Sequence, residues 1–122
     1  MSEVLQGTRV IDLTQGPAGG LATMVMADFG ADVLTIEPPE SHILNDLPAT
    51  PMWRRGKRSR MLDLKSPDQR TEFENLLAGA DVLISNWRRS ALERHDLDFN
   101  AVHLRHPHLI YCHLSGFGSH GP

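Results

Sequence analysis

Two rhythms of apolar residues alternate along this chain. Short apolar runs at Thr8 to Leu13, Asp32 to Ile36, Ser59 to Leu64, Val82 to Ser85 and Leu109 to Leu114 read as five strands. Between them the apolar residues recur every three or four positions. Ala18, Leu21, Ala22, Val25, Met26 and Phe29 fall at i, i+3, i+4, i+7, i+8 and i+11, the spacing of one buried helix face, and Gly30 is placed to end that helix. Ser66-Pro67-Asp68-Gln69 opens another, with Ser as N-cap, Pro in the first helical position and Gln at N3. Phe73, Leu76, Leu77 and Ala80 give it an apolar face, with Gly79 near its end. A short helix is expected over Ser90 to His95, and a further one over Phe99 to His106, capped by Asp98 and stopped by Pro107. Pro38 to Gly56 has no clear period and holds four of the eight prolines, so a long loop is expected there.

Strands that are apolar runs rather than strict alternators, separated by helices, predict an α/β fold that is Rossmann-like: a mostly parallel sheet with helices on both faces. The 122 residues suffice for one such domain or a piece of one. Ligands of these sheets bind at the carboxyl ends of the strands. The turns there are glycine-rich after the first strand (Thr14-Gln15-Gly16-Pro17-Ala18-Gly19-Gly20), basic after the third (Lys65-Ser66-Pro67) and basic-aromatic after the fourth (Asn86-Trp87-Arg88-Arg89). These are suitable walls for a nucleotide pocket.

Charge sharpens that picture. Arg54, Arg55, Lys57, Arg58 and Arg60 are five of the twelve Lys and Arg residues, packed into seven positions of a chain whose formal net charge is −3. A local basic cluster on an acidic chain points to a discrete anionic ligand such as phosphate, not to a nucleic-acid surface. Hydrophobic content of 40% and charged content of 22% are those of a soluble globular domain, and no stretch approaches the length of a membrane span. The first residues carry no basic and apolar leader pattern, so a cytoplasmic protein is expected. A single cysteine, Cys112, excludes an internal disulfide and is expected as a buried strand residue. His95, His103, His106 and His108 cluster in sequence, but no Cys or carboxylate set completes a metal site and Pro107 breaks the geometry, so no metal is expected. Gly16-Pro17-Ala18-Gly19-Gly20 has neither the Lys-Ser/Thr of a P-loop nor the G-x-G-x-x-G spacing, which disfavours a triphosphatase or nicotinamide site.

Taken in order, Gly7 to Leu13, Ala22-Thr23-Met24, Asp28 to Val33, Ile36-Glu37-Pro38-Pro39, Gly56 to Ser59, Leu62 to Lys65, Ala80 to Ile84, Asn86-Trp87 and Ser115 to Pro122 resemble the family III CoA-transferases. That family contains formyl-CoA transferase, carnitine CoA-transferase and the α-methylacyl-CoA racemases. The resemblance implies that residues 1–122 correspond to the N-terminal, CoA-nucleotide-binding part of the large domain of a full member. By the same resemblance the catalytic aspartate of the transferases, and the His/Asp pair of the racemases, lie beyond Pro122. No residue here matches a catalytic residue of either branch, and the chain alone is expected to be inactive.

Positions that contact CoA in the family carry over to Ala18 in the first turn, to Leu62 and Lys65 at the exit of the third strand, to Asn86 and Trp87 after the fourth, and to Arg94, which matches an arginine that meets CoA phosphate. Guanidinium forks pair well with such oxygens. The chain departs from the family where Ala18-Gly19-Gly20 replaces Ala-Gly-Pro, where Pro38 stands at a position some members give to arginine, and where Trp87-Arg88-Arg89-Ser90 replaces Phe-Arg-Pro-Gly. The implied reaction is transfer of coenzyme A from an acyl-CoA to a carboxylic acid, within an interlocked homodimer and without nucleic acid or membrane. A racemase of the same family and a non-catalytic CoA-binding or scaffold module are the alternatives. For the isolated segment, residues such as Met24, Met52 and Trp53 are expected to lose their cover, leaving it self-associating or marginally stable.

Overall fold

The computed structural model describes residues 3–40, 47–116 and 118. The elements run β1 (Arg9–Asp12), α1 (Pro17–Asp28), β2 (Asp32–Glu37), α2 (Thr50–Arg54), β3 (Arg58–Met61), α3 (Pro67–Ala78), β4 (Val82–Ser85), α4 (Arg89–Arg94), α5 (Phe99–Arg105) and β5 (Ile110–His113). All strand pairings are parallel, in the order β3-β2-β1-β4-β5. The Rossmann-like α/β arrangement anticipated from the sequence is therefore the one observed. Ile11 sits opposite Leu34 on one side and Leu83 on the other, which puts the most apolar runs at the centre of the sheet.

Each face of the sheet has its own core. On one, Ile11, Leu13, Leu34, Ile36 and Leu83 pack with Phe73 and Leu77 of α3, Leu92 of α4 and Val102 of α5. On the other, Val10, Val33 and Ile84 pack with Ala22, Met26 and Ala27 of α1 and with the half-buried Cys112. Buried strands covered from both sides need no polar alternation, which is why they read as continuous apolar runs.

Four expectations change. First, α1 does not bury the stripe led by Leu21, Val25 and Phe29; these three remain exposed, and Gly19, Gly20 and Thr23 face inward instead. The most deeply buried stripe is turned by about one residue because the glycines let the helix backbone approach the first turn and α2 closely. A Cβ on Gly20 would lie 2.4 Å from the Trp53 ring, and one on Gly19 2.1 Å from the Thr14 side chain. The Gly20 departure from the family pattern is thus a packing device. Second, Trp53 is buried against that glycine, so it does not lose its cover; Met52 is exposed and Met24 half-buried. Third, β3 is not an apolar strand: Arg58, Ser59, Arg60 and Met61 are all exposed along the sheet edge. Charged residues on an edge oppose pairing with a foreign strand. Fourth, the long loop carries a helix, α2, although its residues 41–46 lie outside the described residues.

The helix starts follow the sequence closely. Asp98 caps α5 by accepting from Ala101 N, and Ser66 occupies the N-cap of α3. The Ser66 hydroxyl makes no cap bond, and Gln69 Oε1 accepts from Asp63 N at 2.7 Å, which fixes the turn leaving β3.

Candidate anion-binding site

The strand order reverses between β1 and β4, and such a switch point opens a crevice at the carboxyl ends of the strands. Asn86 ties the first βα turn to the end of β4. Gln15 N donates to Asn86 Oδ1 at 2.9 Å, and Asn86 Nδ2 donates to Gln15 O at 2.6 Å. Trp87 Nε1 donates to Leu13 O at 2.8 Å, while the Trp87 carbonyl lies 2.8 Å from His113 Nε2. Asn86 and Trp87 therefore clamp the first βα turn to the end of β4. Gly16 completes this turn with φ 82° and ψ −169°, a conformation essentially restricted to glycine.

Beneath the turn sits a buried ionic group. Asp12 accepts from Thr14 N at 2.8 Å, from the Thr14 hydroxyl, and from Thr23 Oγ1 at 2.7 Å. Lys57 Nζ lies 3.7 Å from Asp12 Oδ2 and donates to Gly20 O at 3.0 Å, with both charged side chains almost wholly enclosed. Burial pushes the Lys57 ammonium below its usual value, with Asp12 pulling the other way. Sequence reasoning missed this group. The available signal was Asp12 itself, an acid between Ile11 and Leu13 in a buried run, which requires a partner.

Two neighbouring hollows form the candidate site. Pro38, Pro39, Leu62, Lys65, Trp87 and His95 contribute to a cavity of about 250 Å³. A second, of about 540 Å³, shares Leu64, Lys65 and His95 with it and is bordered by Arg70, Arg94 and Arg105. Arg70 and Arg105 are held by Glu74, at 3.2 and 2.7 Å. Burial works to raise the Glu74 carboxyl, but hydrogen bonds from Arg105 and His106 and the charges of Arg105 and Arg70 outweigh it and hold the group below its ordinary value. Lys65 and Arg94, in contrast, have no ion pair or side-chain hydrogen bond among the described residues. Their charge faces open space.

Leu62, Lys65 and Trp87, three of the positions singled out from the sequence, thus line one cavity, and Arg94 joins Lys65 in the adjoining one. Asn86 lines a third hollow with Trp87 and Arg88, of about 590 Å³. Ala18 stands exposed on the first turn of α1 and lines none of the three. The Arg54 to Arg60 cluster does not converge on a ligand site. Arg54 pairs with Glu37, Arg55 with Asp28, Lys57 with Asp12, Arg58 with Asp32 and Arg60 with Glu72. His106 faces Glu74 at 3.2 Å and His103 stacks on Phe99. Among the described residues no group of three or more His, Cys, Asp or Glu is placed to hold a metal ion.

Comparison with known proteins decides the family, since the model for CoA-transferase family III matches residues 5–122. The chain belongs to CoA-transferase family III. Within this family it is 36% identical to succinate–glutarate CoA-transferase of Agrobacterium fabrum, with 97% of this chain and 34% of that protein covered. It is 38% identical to human alpha-methylacyl-CoA racemase over 96% of this chain and 29% of that protein. The crystal structure of a CAIB/BAIF family protein from Brucella suis superposes with a TM-score of 0.87 at 31% identity, covering all of this chain and 36% of that one. This family III chain spans about a third of the length of the curated relatives it matches. Of the closing glycine motif that the resemblance drew on, Phe117 and residues 119–122 lie outside the described residues. No helix among those described is long and apolar enough to cross a membrane.

Proposed function

We propose that this chain is the N-terminal, CoA-nucleotide-binding part of the large domain of an acyl-CoA:carboxylate CoA-transferase. The observation that carries this reading is the pairing of Lys65 and Arg94, two cations without an ion-pair partner among the described residues, on the walls of adjoining hollows beside Trp87 at the strand ends. CoA presents a pyrophosphate and a 3′-phosphate, and a guanidinium with nothing else to bind offers both charge and a two-pronged hydrogen bond. Leu62 and Trp87 supply the apolar and aromatic wall for the adenosine, whereas Asn86 acts by holding the turn and not through a free amide.

In the complete protein, CoA passes from an acyl-CoA donor to a carboxylic acid through an aspartyl intermediate formed on a segment outside this chain. Splitting the exchange into two acyl transfers is the advantage of such covalent catalysis. The complete protein acts as a homodimer in the cytoplasm, and these residues alone catalyse nothing. The deciding experiment is calorimetric titration with CoA and dephospho-CoA, using Arg94→Ala as control. The reading expects binding that weakens about tenfold without Arg94; absence of CoA binding contradicts it.

The similarity to human alpha-methylacyl-CoA racemase supports a second reading, racemisation next to the thioester. Full-length protein incubated with a single-enantiomer 2-methylacyl-CoA in heavy water separates the two. Deuterium at the carbon next to the thioester marks a racemase, and carboxylate-dependent thioester exchange marks a transferase.

A further inference from the structure

His95 stands on the shared wall of the two hollows. Its position is well determined. It caps α4, its backbone carbonyl accepts from Arg70 Nη1 at 2.5 Å, and its ring meets Trp87 edge-on at 5.6 Å. A half-buried imidazole beside an indole and two cations that have no ion-pair partner among the described residues is placed to bind an anion alongside them.

We propose that His95 completes an anion site with Lys65 and Arg94 and takes up a proton from solvent when a phosphate group of the ligand enters that site. The identity of the ligand rests on the CoA reading above, whereas the coupling of protonation to anion binding does not.

The charges around the ring explain the direction of the change. From the turn leaving β3 come Lys65 and Asp63; from α3, Arg70 and Glu74; from α5, Arg105; and on either side of His95 itself, Arg94 and Asp96. Glu40 lines the smaller cavity with it. Glu74 is occupied by Arg70 and Arg105. Burial is the main influence that lowers the imidazole below its ordinary value, followed by Arg70, Arg94 and Lys65, with Asp63 acting in the opposite sense. The free chain therefore keeps His95 neutral at neutral pH, with a single N–H donor. A phosphate lodged between Lys65 and Arg94 cancels the charge that disfavours protonation, and an imidazolium offers it a second donor. Linkage then fixes the sign. Binding takes up protons, so affinity rises as pH falls through the interval between the pKa of His95 in the complex and its lower value in the free chain.

The test follows the His95 ring resonance by NMR, assigned through its loss in His95→Gln, against pH in the free chain and with saturating CoA, dephospho-CoA or inorganic pyrophosphate. The expected result is a midpoint raised by about one pH unit with CoA. Calorimetry in two buffers of different ionisation heat should register proton uptake that His95→Gln abolishes. A shift kept with dephospho-CoA assigns the site to the pyrophosphate, and a shift lost with it assigns the site to the 3′-phosphate; both support the coupling. A response to pyrophosphate without one to CoA supports the anion site and removes the CoA reading. An unmoved His95 with all three ligands overturns the proposal, and if calorimetry still registers CoA binding the function proposed above survives without it.

Discussion

The two basic regions of this chain differ in a way that their residue types do not announce. Between Arg54 and Arg60 five cations crowd into seven positions, and each faces a carboxylate supplied by β1, α1, β2 or α3. Lys65 and Arg94 are 29 positions apart in sequence, yet they meet on one hollow with no ion-pair partner among the described residues. The dense cluster is largely neutralised, as shown by Asp28 and Glu72, whose carboxyls are held below their ordinary value chiefly by hydrogen bonds from Arg55 and Arg60. A ligand responds to the field left over after the protein's own charges have paired, not to the number of cations in a stretch.

That contrast can be broken most severely at Lys57, the one member of the cluster that is enclosed. Lys57→Met leaves the Asp12 carboxylate buried without its counter-ion, and chemical denaturation should show a loss of about 3–5 kcal/mol. Adding Asp12→Asn should recover part of it. Gly20→Ala drives a methyl group against Trp53 and should cost about 2 kcal/mol in the same assay, with α2 displaced from α1.

Glu74 is the point at which one region can be turned into the other. Glu74→Gln frees Arg70 and Arg105 beside Lys65 and Arg94, so affinity for CoA should rise about threefold or more. The same change should lower stability at neutral pH by about 1–2 kcal/mol. Because the folded carboxyl lies below its ordinary value of 4.5, the advantage of the native residue is fully present above that pH. It fades as pH falls through the lower folded value, and denaturation series of both chains carried into acid should converge there.

Arg94→Ala tests the unpaired side directly. It should weaken CoA binding about tenfold, with the unfolding midpoint unchanged. The smallest effect is expected from Arg58→Ala, which removes an exposed pair with Asp32. CoA affinity should stay within about twofold, because exposed ion pairs contribute little and this one lies away from the hollows. A large loss of binding there would invert the comparison.

Much of this architecture is legible without coordinates, and particular residues show why. β4 occupies the predicted positions, Val82–Ser85, and α5 starts at the residue after Asp98, as its capping side chain dictates. Apolar runs, capping residues and prolines act locally, so sequence alone determined the parallel α/β class and every element except α2, while the family was legible through the resemblance of its motifs. Lys65 and Trp87 also stood out in the turns at the strand ends, whereas Leu62 and Arg94 were candidates only through resemblance. What the chain could not reveal by itself depends on partners far along it. Which face of α1 turns inward was decided by Trp53 packing on Gly20 and by Asp12 accepting from Thr23. Whether a cation is spent or available was decided by carboxylates up to 45 positions away, as between Asp12 and Lys57. His95 acquired its place only when the ends of β3, β4 and α4 came together. Secondary structure follows from short-range sterics and hydrogen bonding, whereas charge pairing depends on distances that the tertiary fold alone sets.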